Sequence, residues 1–149
     1  EQTGYYLDTS WISIIEGYNP NFLVQAKDGY YDSIIFWLDK IPHVSAWPSG
    51  GVPDHLVYGS NIRTLDFVFL ADSAWSIGWM KDADEGAHGY DIVNTDVHAI
   101  FYASGPAFRS GYIHPRFSNT DIYPLIAHLL ELEPAETDGD LDNVRSMLR

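Results

Sequence analysis

The sequence predicts an α/β layer structure, and three observations carry that expectation. Residues 65–71 and 97–103 are almost unbroken apolar, β-prone runs, the pattern of strands covered on both faces rather than of a half-wet antiparallel sheet. Two other segments repeat apolar residues at steps of three and four, the helical period. Gly-, Pro-, Asn- and Asp-rich stretches separate these blocks, so each element can pack against its neighbour through a short connection.

Taken in order, Tyr5-Tyr6-Leu7 and Trp11 to Ile15 are aromatic and β-branched and predict a short strand before the punctuation Gly17-Tyr18-Asn19-Pro20. Phe22 to Ala26 predicts a second strand, and Lys27-Asp28-Gly29 a turn. Tyr30, Tyr31, Ile34, Ile35, Leu38 and Ile41 share one helical face, with Asp28 placed to cap the helix and Pro42 to stop it. Residues 43–63 read as loops around one short strand at His55-Leu56-Val57-Tyr58, and residues 65–71 and 97–103 as central strands. Ile122, Leu125, Ile126, Leu129 and Leu130 form a second helical face. Pro124 is compatible with it only in the first turn, which puts the cap at Thr120 or Asp121. The acidic run from Glu131 to Asp142 reads as a solvated turn, since the ligand spacing of an EF-hand is absent. Val144, Met147 and Leu148 make a short apolar close.

Charge and composition exclude several functions. The chain has 149 residues, 8 Lys+Arg against 21 Asp+Glu, a net charge of −13 and no cysteine. An acidic surface repels a phosphate backbone, so no nucleic-acid grip is expected. Without cysteine there is no disulfide framework, thiolate zinc site or thiol nucleophile. No apolar run reaches the roughly 18–20 residues of a membrane helix. A first residue other than Met gives the expectation of a processed chain or a piece of a longer one.

None of the histidines His43, His55, His88, His98, His114 and His128 forms a two-ligand spacing with another. His88 differs by its setting, between Gly86 and Gly89, with Asp82, Asp84 and Glu85 on one side and Asp91 on the other. Flanking glycines allow backbone conformations that present an imidazole to a metal or an oxyanion. Asp91 is placed to accept the proton of the ring nitrogen not bonded to metal. The same residues also fit a plain glycine-rich turn between strands. No Gly-x-Ser-x-Gly elbow or phosphate-cradling glycine loop is present. Trp47, Trp75, Trp79 and Tyr90 read as core aromatics.

Gly86-Ala87-His88-Gly89-Tyr90-Asp91, with Val97-His98-Ala99-Ile100-Phe101-Tyr102-Ala103-Ser104-Gly105-Pro106-Ala107-Phe108-Arg109, closely resembles the C-terminal part of the nucleotide pyrophosphatase/phosphodiesterase family, type I phosphodiesterases of the alkaline phosphatase superfamily. The likeness continues through Asn119 to Leu132 and Pro134 to Gly139, and more loosely upstream. Ile92 stands where the family usually has Asn, and Glu131 where it has the Gly that ends the second helix.

The resemblance implies the C-terminal part of an alkaline-phosphatase-like three-layer fold, with a mixed, mostly parallel sheet and flanking helices. Residues 1–149 would be the C-terminal portion of one larger catalytic domain, with 1–63 a looser cap-like α+β segment and 64–149 the core-sheet segment carrying the metal-ligand loop. It implies two zinc ions and a Thr nucleophile that hydrolyse phosphodiester or pyrophosphate bonds of small nucleotide-like substrates through a phospho-threonine. Only His88 of this chain matches a zinc ligand, and no catalytic residue does. A complete zinc site would then need the upstream part of the polypeptide, and the chain alone would be inactive. The alternative is a catalytically silent fragment or binding module of the same fold. Members of the family are usually exported, which implies a periplasmic or extracellular location.

Overall fold

The computed structural model describes residues 8–78 and 86–149, which form two compact units, Glu1–Ala99 and Ile100–Arg149. The expected strand at Tyr5-Tyr6-Leu7 and the residue Trp79 lie outside the described residues.

The first unit is built on a four-stranded sheet with strands β1 (Ile12–Tyr18), β2 (Asn21–Ala26), β3 (Val44–Pro48) and β4 (Phe67–Ala71), in the spatial order β1-β2-β4-β3. Every pairing in it is antiparallel, which corrects the expectation of a mostly parallel sheet among the described residues. The reason is local. β1 and β2 are joined by a two-residue connection, too short for the crossover that parallel strands need. Gly17 makes the connection possible: its φ of +98° suits glycine, and a Cβ there would lie 2.6 Å from the Asn21 carbonyl oxygen.

β4 is the predicted central strand, and all five of its residues are buried. Phe22 of β2 stands opposite Phe69, and Val24 opposite Phe67. These four side chains, spaced by two along each strand, point to one face and meet Ile34 and Leu38 of helix α1 (Tyr31–Leu38). Tyr31 adds its ring to Phe67 at 4.7 Å. Burying Ile34 and Leu38 is worth about 1.5–3 kcal/mol for each side chain, which is what holds a helix of two turns in place.

Of the expected helical face, Ile34 and Leu38 are buried while Tyr30, Tyr31 and Ile35 are exposed, and Asp28 does not cap the helix. The N-cap is Tyr30, which makes no side-chain cap bond, and Asp28 lies in the preceding turn. The expected strand at residues 55–58 is also absent. Asp54–Leu56 is a 3₁₀ turn followed by Val57 at φ +49°, a left-handed position that cannot continue a strand. β3 supplies the missing strand from within the segment read as loop.

In the second unit, helix α2 (Ile122–Leu129) follows a 3₁₀ turn at Asn119–Asp121 and buries Pro124, Leu125 and Ala127. Pro124 sits in the first turn, as its missing N–H requires. Leu125 packs with Val144, Met147 and Leu148, and the chain end is pinned where the Arg109 amide meets the Met147 carbonyl at 2.9 Å and the Arg149 amide the Ala107 carbonyl at 3.0 Å. Asp121 is the N-cap residue by position, yet its buried carboxylate accepts instead from the Asp140 amide at 2.8 Å and the Asn143 Nδ2 at 3.2 Å. Residues 97–103 form no strand: Thr95–Val97 is a 3₁₀ turn and the rest is irregular. A strand needs a ladder partner, and the described residues offer that segment none.

α2 ends in a Schellman motif, with the Leu132 amide on the Ala127 carbonyl at 2.9 Å and the Glu131 amide on the His128 carbonyl at 3.2 Å. The left-handed residue is Glu131, at φ +56°. A non-glycine residue there costs about 1 kcal/mol, and a carboxylate at a helix C-terminus opposes the macrodipole. Glu131→Gly is therefore expected to raise stability by about 1 kcal/mol, read as a higher urea midpoint at unchanged slope. An unchanged or lower midpoint would show that the strain is relieved in another way.

Candidate functional site

His88 lies on the exposed segment of residues 86–94, and the three residues after it are each fixed by a contact from a distant part of the first unit. Gly89, at φ +98°, offers its carbonyl to Asn21 Nδ2 at 3.3 Å. A Cβ on Gly89 would sit 3.1 Å from that same amide nitrogen, so the close approach suits glycine. The Tyr90 hydroxyl donates to the Trp75 carbonyl at 2.9 Å. Asp91 takes the Val93 amide on Oδ1 at 2.9 Å, and His55 Nε2 stands 3.0 Å from both of its carboxylate oxygens.

His88 itself is exposed. Its ring meets Tyr18 edge-on with centroids 6.0 Å apart, and neither ring nitrogen has a hydrogen-bond partner among the described residues. This separates it from four of the other histidines. His43 stands 3.7 Å from Asp72 and stacks on Trp75 with centroids 3.6 Å apart, His55 holds Asp91, and His98 and His114 reach the carbonyls of Ile92 and Pro115. His128 is exposed on α2.

Asp91 is thus placed as a clamp on the loop, and its partner is His55 rather than His88. His55 is the residue that sequence reasoning missed. It is 36 positions away from Asp91, and only the folded chain brings the two together. Partial burial pushes the Asp91 carboxyl upward, but the Val93 amide and the His55 ring outweigh it, so its pKa lies below the ordinary carboxylate value. Beside the clamp is a shallow cleft of about 320 Å³ whose polar lining includes Ser45, Asp72, Ser73 and Asn94. The carboxylates Asp82, Asp84 and Glu85 lie outside the described residues. Among the described residues, no group of three or more His, Asp or Glu side chains converges to hold a metal ion. His88 is therefore one accessible nitrogen donor on a fixed loop and not a complete metal site.

No family model matches the sequence. Individual relatives do. The chain is 33% identical over 146 residues to human ectonucleotide pyrophosphatase/phosphodiesterase family member 5, covering 96% of this chain and 30% of that protein. It is 32% identical over 108 residues to human bis(5'-adenosyl)-triphosphatase ENPP4, covering 72% of this chain and 24% of that protein. The solved structure of murine ectonucleotide pyrophosphatase/phosphodiesterase 5 superposes with a TM-score of 0.88 at 31% identity, over 97% of this chain and 39% of that one. A structure of an inactive form of the murine protein, in complex with AMP, matches equally well. The chain thus spans a third or less of the length of these curated relatives.

The clamp makes a direct expectation. Asp91→Ala removes the acceptor of the Val93 amide, and hydrogen exchange at Val93 should quicken about fivefold, the equivalent of roughly 1 kcal/mol for a hydrogen bond to a part-exposed charged group. Because folding lowers the Asp91 pKa, the stability it contributes is present above the unfolded value of about 3.9 and is lost as pH falls through the lower folded value. Val93 protection should therefore hold from neutral pH down to about 4 and decline only below it. Protection that is already gone at pH 5–6 would assign the effect to a different group.

Proposed function

We propose, for a chain whose homologues are nucleotide pyrophosphatases/phosphodiesterases, that it is part of the catalytic domain of a hydrolase of that kind and contributes His88 as a zinc ligand. The observation that carries the reading is the His88 loop. Its imidazole is exposed and unpaired among the described residues, while Gly89, Tyr90 and Asp91 are each tied to the sheet unit. A ligand must be both available and oriented, and this loop meets both conditions without spending the ring on an internal bond.

Zinc in such a site polarises the phosphoryl oxygen and generates a nucleophile at neutral pH. A tetrahedral catalytic zinc takes three protein ligands, so on this reading the remaining ligands, a second zinc and the threonine nucleophile of the phospho-threonine route would have to come from outside this chain. On this reading the chain alone is inactive. Its contribution is to hold His88 Nδ1 or Nε2 at one place: Gly89 permits the bend, Tyr90 fixes the loop to the strand-β4 exit, and Asp91 with His55 fixes the far end. A small nucleotide substrate is the reading that the AMP complex of the murine relative supports. The prefix "ecto" in the relatives' names supports an extracytoplasmic location. No helix of the described residues is long and apolar enough to cross a membrane.

The test joins this chain to the remaining portion of human family member 5 and follows zinc-dependent release of nitrophenol from a nitrophenyl nucleotide ester. His88→Ala should lower the rate by about a hundredfold or more, since even residues that only support a metal ligand are worth 10–100-fold, and zinc content per chain should fall with it. Unchanged rate and zinc content in His88→Ala would remove His88 from the site. An inactive parent chimera that still binds zinc at the substituted portion would favour the silent module.

A further inference from the structure

The dipeptide Asp-Gly occurs at two places in the chain, Asp28-Gly29 and Asp138-Gly139. In such a pair the glycine nitrogen can attack the side-chain carboxyl carbon of the aspartate. Glycine favours the attack because no Cβ shields its nitrogen and its backbone is free to swing into line. The two copies differ in whether the fold permits that movement.

Lys27 to Tyr30 form a turn closed by the Tyr30 amide on the Lys27 carbonyl at 3.0 Å, and Gly29, at φ +82°, has the conformation of the third position of a type II turn. Asp28 and Gly29 are both exposed, and a Cβ on Gly29 would meet nothing within 4 Å. Neither the Asp28 carboxylate nor the Gly29 amide has a hydrogen-bond partner among the described residues. Asp138-Gly139 is held instead. The Gly139 amide donates to Thr137 Oγ1 at 3.3 Å, and the Asp140 amide that follows donates to the buried Asp121 carboxylate at 2.8 Å. A Cβ on Gly139 would run into the Thr120 carbonyl and lie 3.1 Å from Pro124, so this glycine is packed against the start of α2.

We propose that Asp28 is a site of spontaneous covalent modification, converting to isoaspartate through a succinimide, while Asp138 in the same dipeptide is protected by the fold. In the first step the Gly29 nitrogen bonds to Asp28 Cγ, and the carboxyl hydroxyl leaves with the amide proton as water. The product is a five-membered ring. In the second step water adds to one of the two ring carbonyls. Opening at the main-chain carbonyl breaks its bond to the Gly29 nitrogen, frees an α-carboxylate and leaves the chain running through Cβ and Cγ; opening at the other carbonyl restores aspartate. One water leaves and one enters, so no further reactant is needed and the mass is unchanged.

The new linkage adds one methylene to the main chain in the turn that joins β2 to α1. Tyr30, two residues on, is the N-cap of α1, stacks on Trp11 with centroids 6.3 Å apart and accepts the Ile34 amide at 3.1 Å. Lengthening the turn displaces this cap and loosens the first turn of the helix. None of this depends on whether His88 binds zinc.

The test incubates the purified chain in warm neutral buffer beside synthetic peptides of residues 24–33 and 134–143, which serve as clocks for the same two dipeptides without the fold. Isoaspartate is located by electron-transfer fragmentation and by resistance to cleavage at aspartate. Asp28 should convert within about threefold of its peptide, whereas Asp138 should be slowed at least tenfold against its own, since its contacts must open before the attack. Asp28→Glu, whose longer side chain does not close the five-membered ring, should abolish the conversion, and Asp28→Asn, with ammonia as the leaving group, should speed it at least tenfold. In the converted chain, hydrogen exchange at Ile34 should quicken at least threefold. Equal protection at both sites, or faster conversion at Asp138, overturns the proposal. So does isoaspartate that forms undiminished in Asp28→Glu.

Discussion

The first unit depends on the double pairing of β4. Its five residues are buried, it is hydrogen-bonded to β2 on one side and β3 on the other, and Phe67 and Phe69 supply the floor on which α1 rests. Two of the three contacts that fix the loop after His88 start from this strand. Asn21, which holds the Gly89 carbonyl, is the first residue of β2 and is registered opposite Leu70. Trp75, which receives the Tyr90 hydroxyl, follows a few residues after β4 ends, where the Trp75 amide itself turns back to the Asp72 carbonyl at 3.0 Å. A shift of β4 by one residue would turn Phe67 and Phe69 out of the core and disturb the Asn21 and Trp75 anchors of the loop with it.

How much of this could be read from sequence follows from the range of each interaction. β4 and the existence of α1 and α2 were legible because a period within one segment encodes them, but the period overstated the buried faces: Ile35, Ile126 and Leu130 are exposed, while Pro124 and Ala127 are buried. β3 was not, because Val44-Ser45-Ala46-Trp47-Pro48 is half-buried at the sheet edge and its composition is mixed; Pro48 is acceptable only as the last residue of an edge strand, and edge position is a tertiary fact. Residues 55–58 looked like a strand by composition, but a left-handed Val57 overrides propensity. Asp121 has the chemistry of a cap, and its carboxylate is instead taken by the loop at residues 140–143, where burial makes the hydrogen bonds worth more. The antiparallel pairing also differs from what residues 65–71 suggested, because an apolar run reports that a strand is covered on both faces and not which way its neighbours point.

The candidate site divides in the same way. Two glycines around His88 signalled an exposed, bent loop, and the structure has that loop, with Gly89 at positive φ. What fixes the loop was not readable, since its partners lie 68, 15 and 36 residues away in the chain. A carboxylate three positions from a histidine suggested a local pair, yet the Asp91 oxygens meet His55, on the 3₁₀ turn at residues 54–56. The pairing has a chemical consequence: Asp91 is occupied by an imidazole and an amide, and among the described residues the His88 ring has no hydrogen-bond partner.

Charge gives the last constraint on how such a loop could serve an anionic substrate. The chain carries −13 overall, and the cleft beside the clamp is lined by the carboxylates Asp72 and Asp91. Their neighbours His55 and His43 are imidazoles and not Lys or Arg. A phosphate approaching this cleft meets no Lys or Arg among its described lining residues, and the net charge of the chain opposes it. A nucleotide hydrolase built on this chain therefore has to supply its own local positive charge at the point of contact. On the reading proposed above, the exposed His88 imidazole, without a hydrogen-bond partner among the described residues, would help to place a divalent cation there, and a bound cation would invert the local field that the side chains alone cannot. The net acidic charge from which no nucleic-acid grip is expected is thus also what makes the proposed metal-centred role of His88 physically economical.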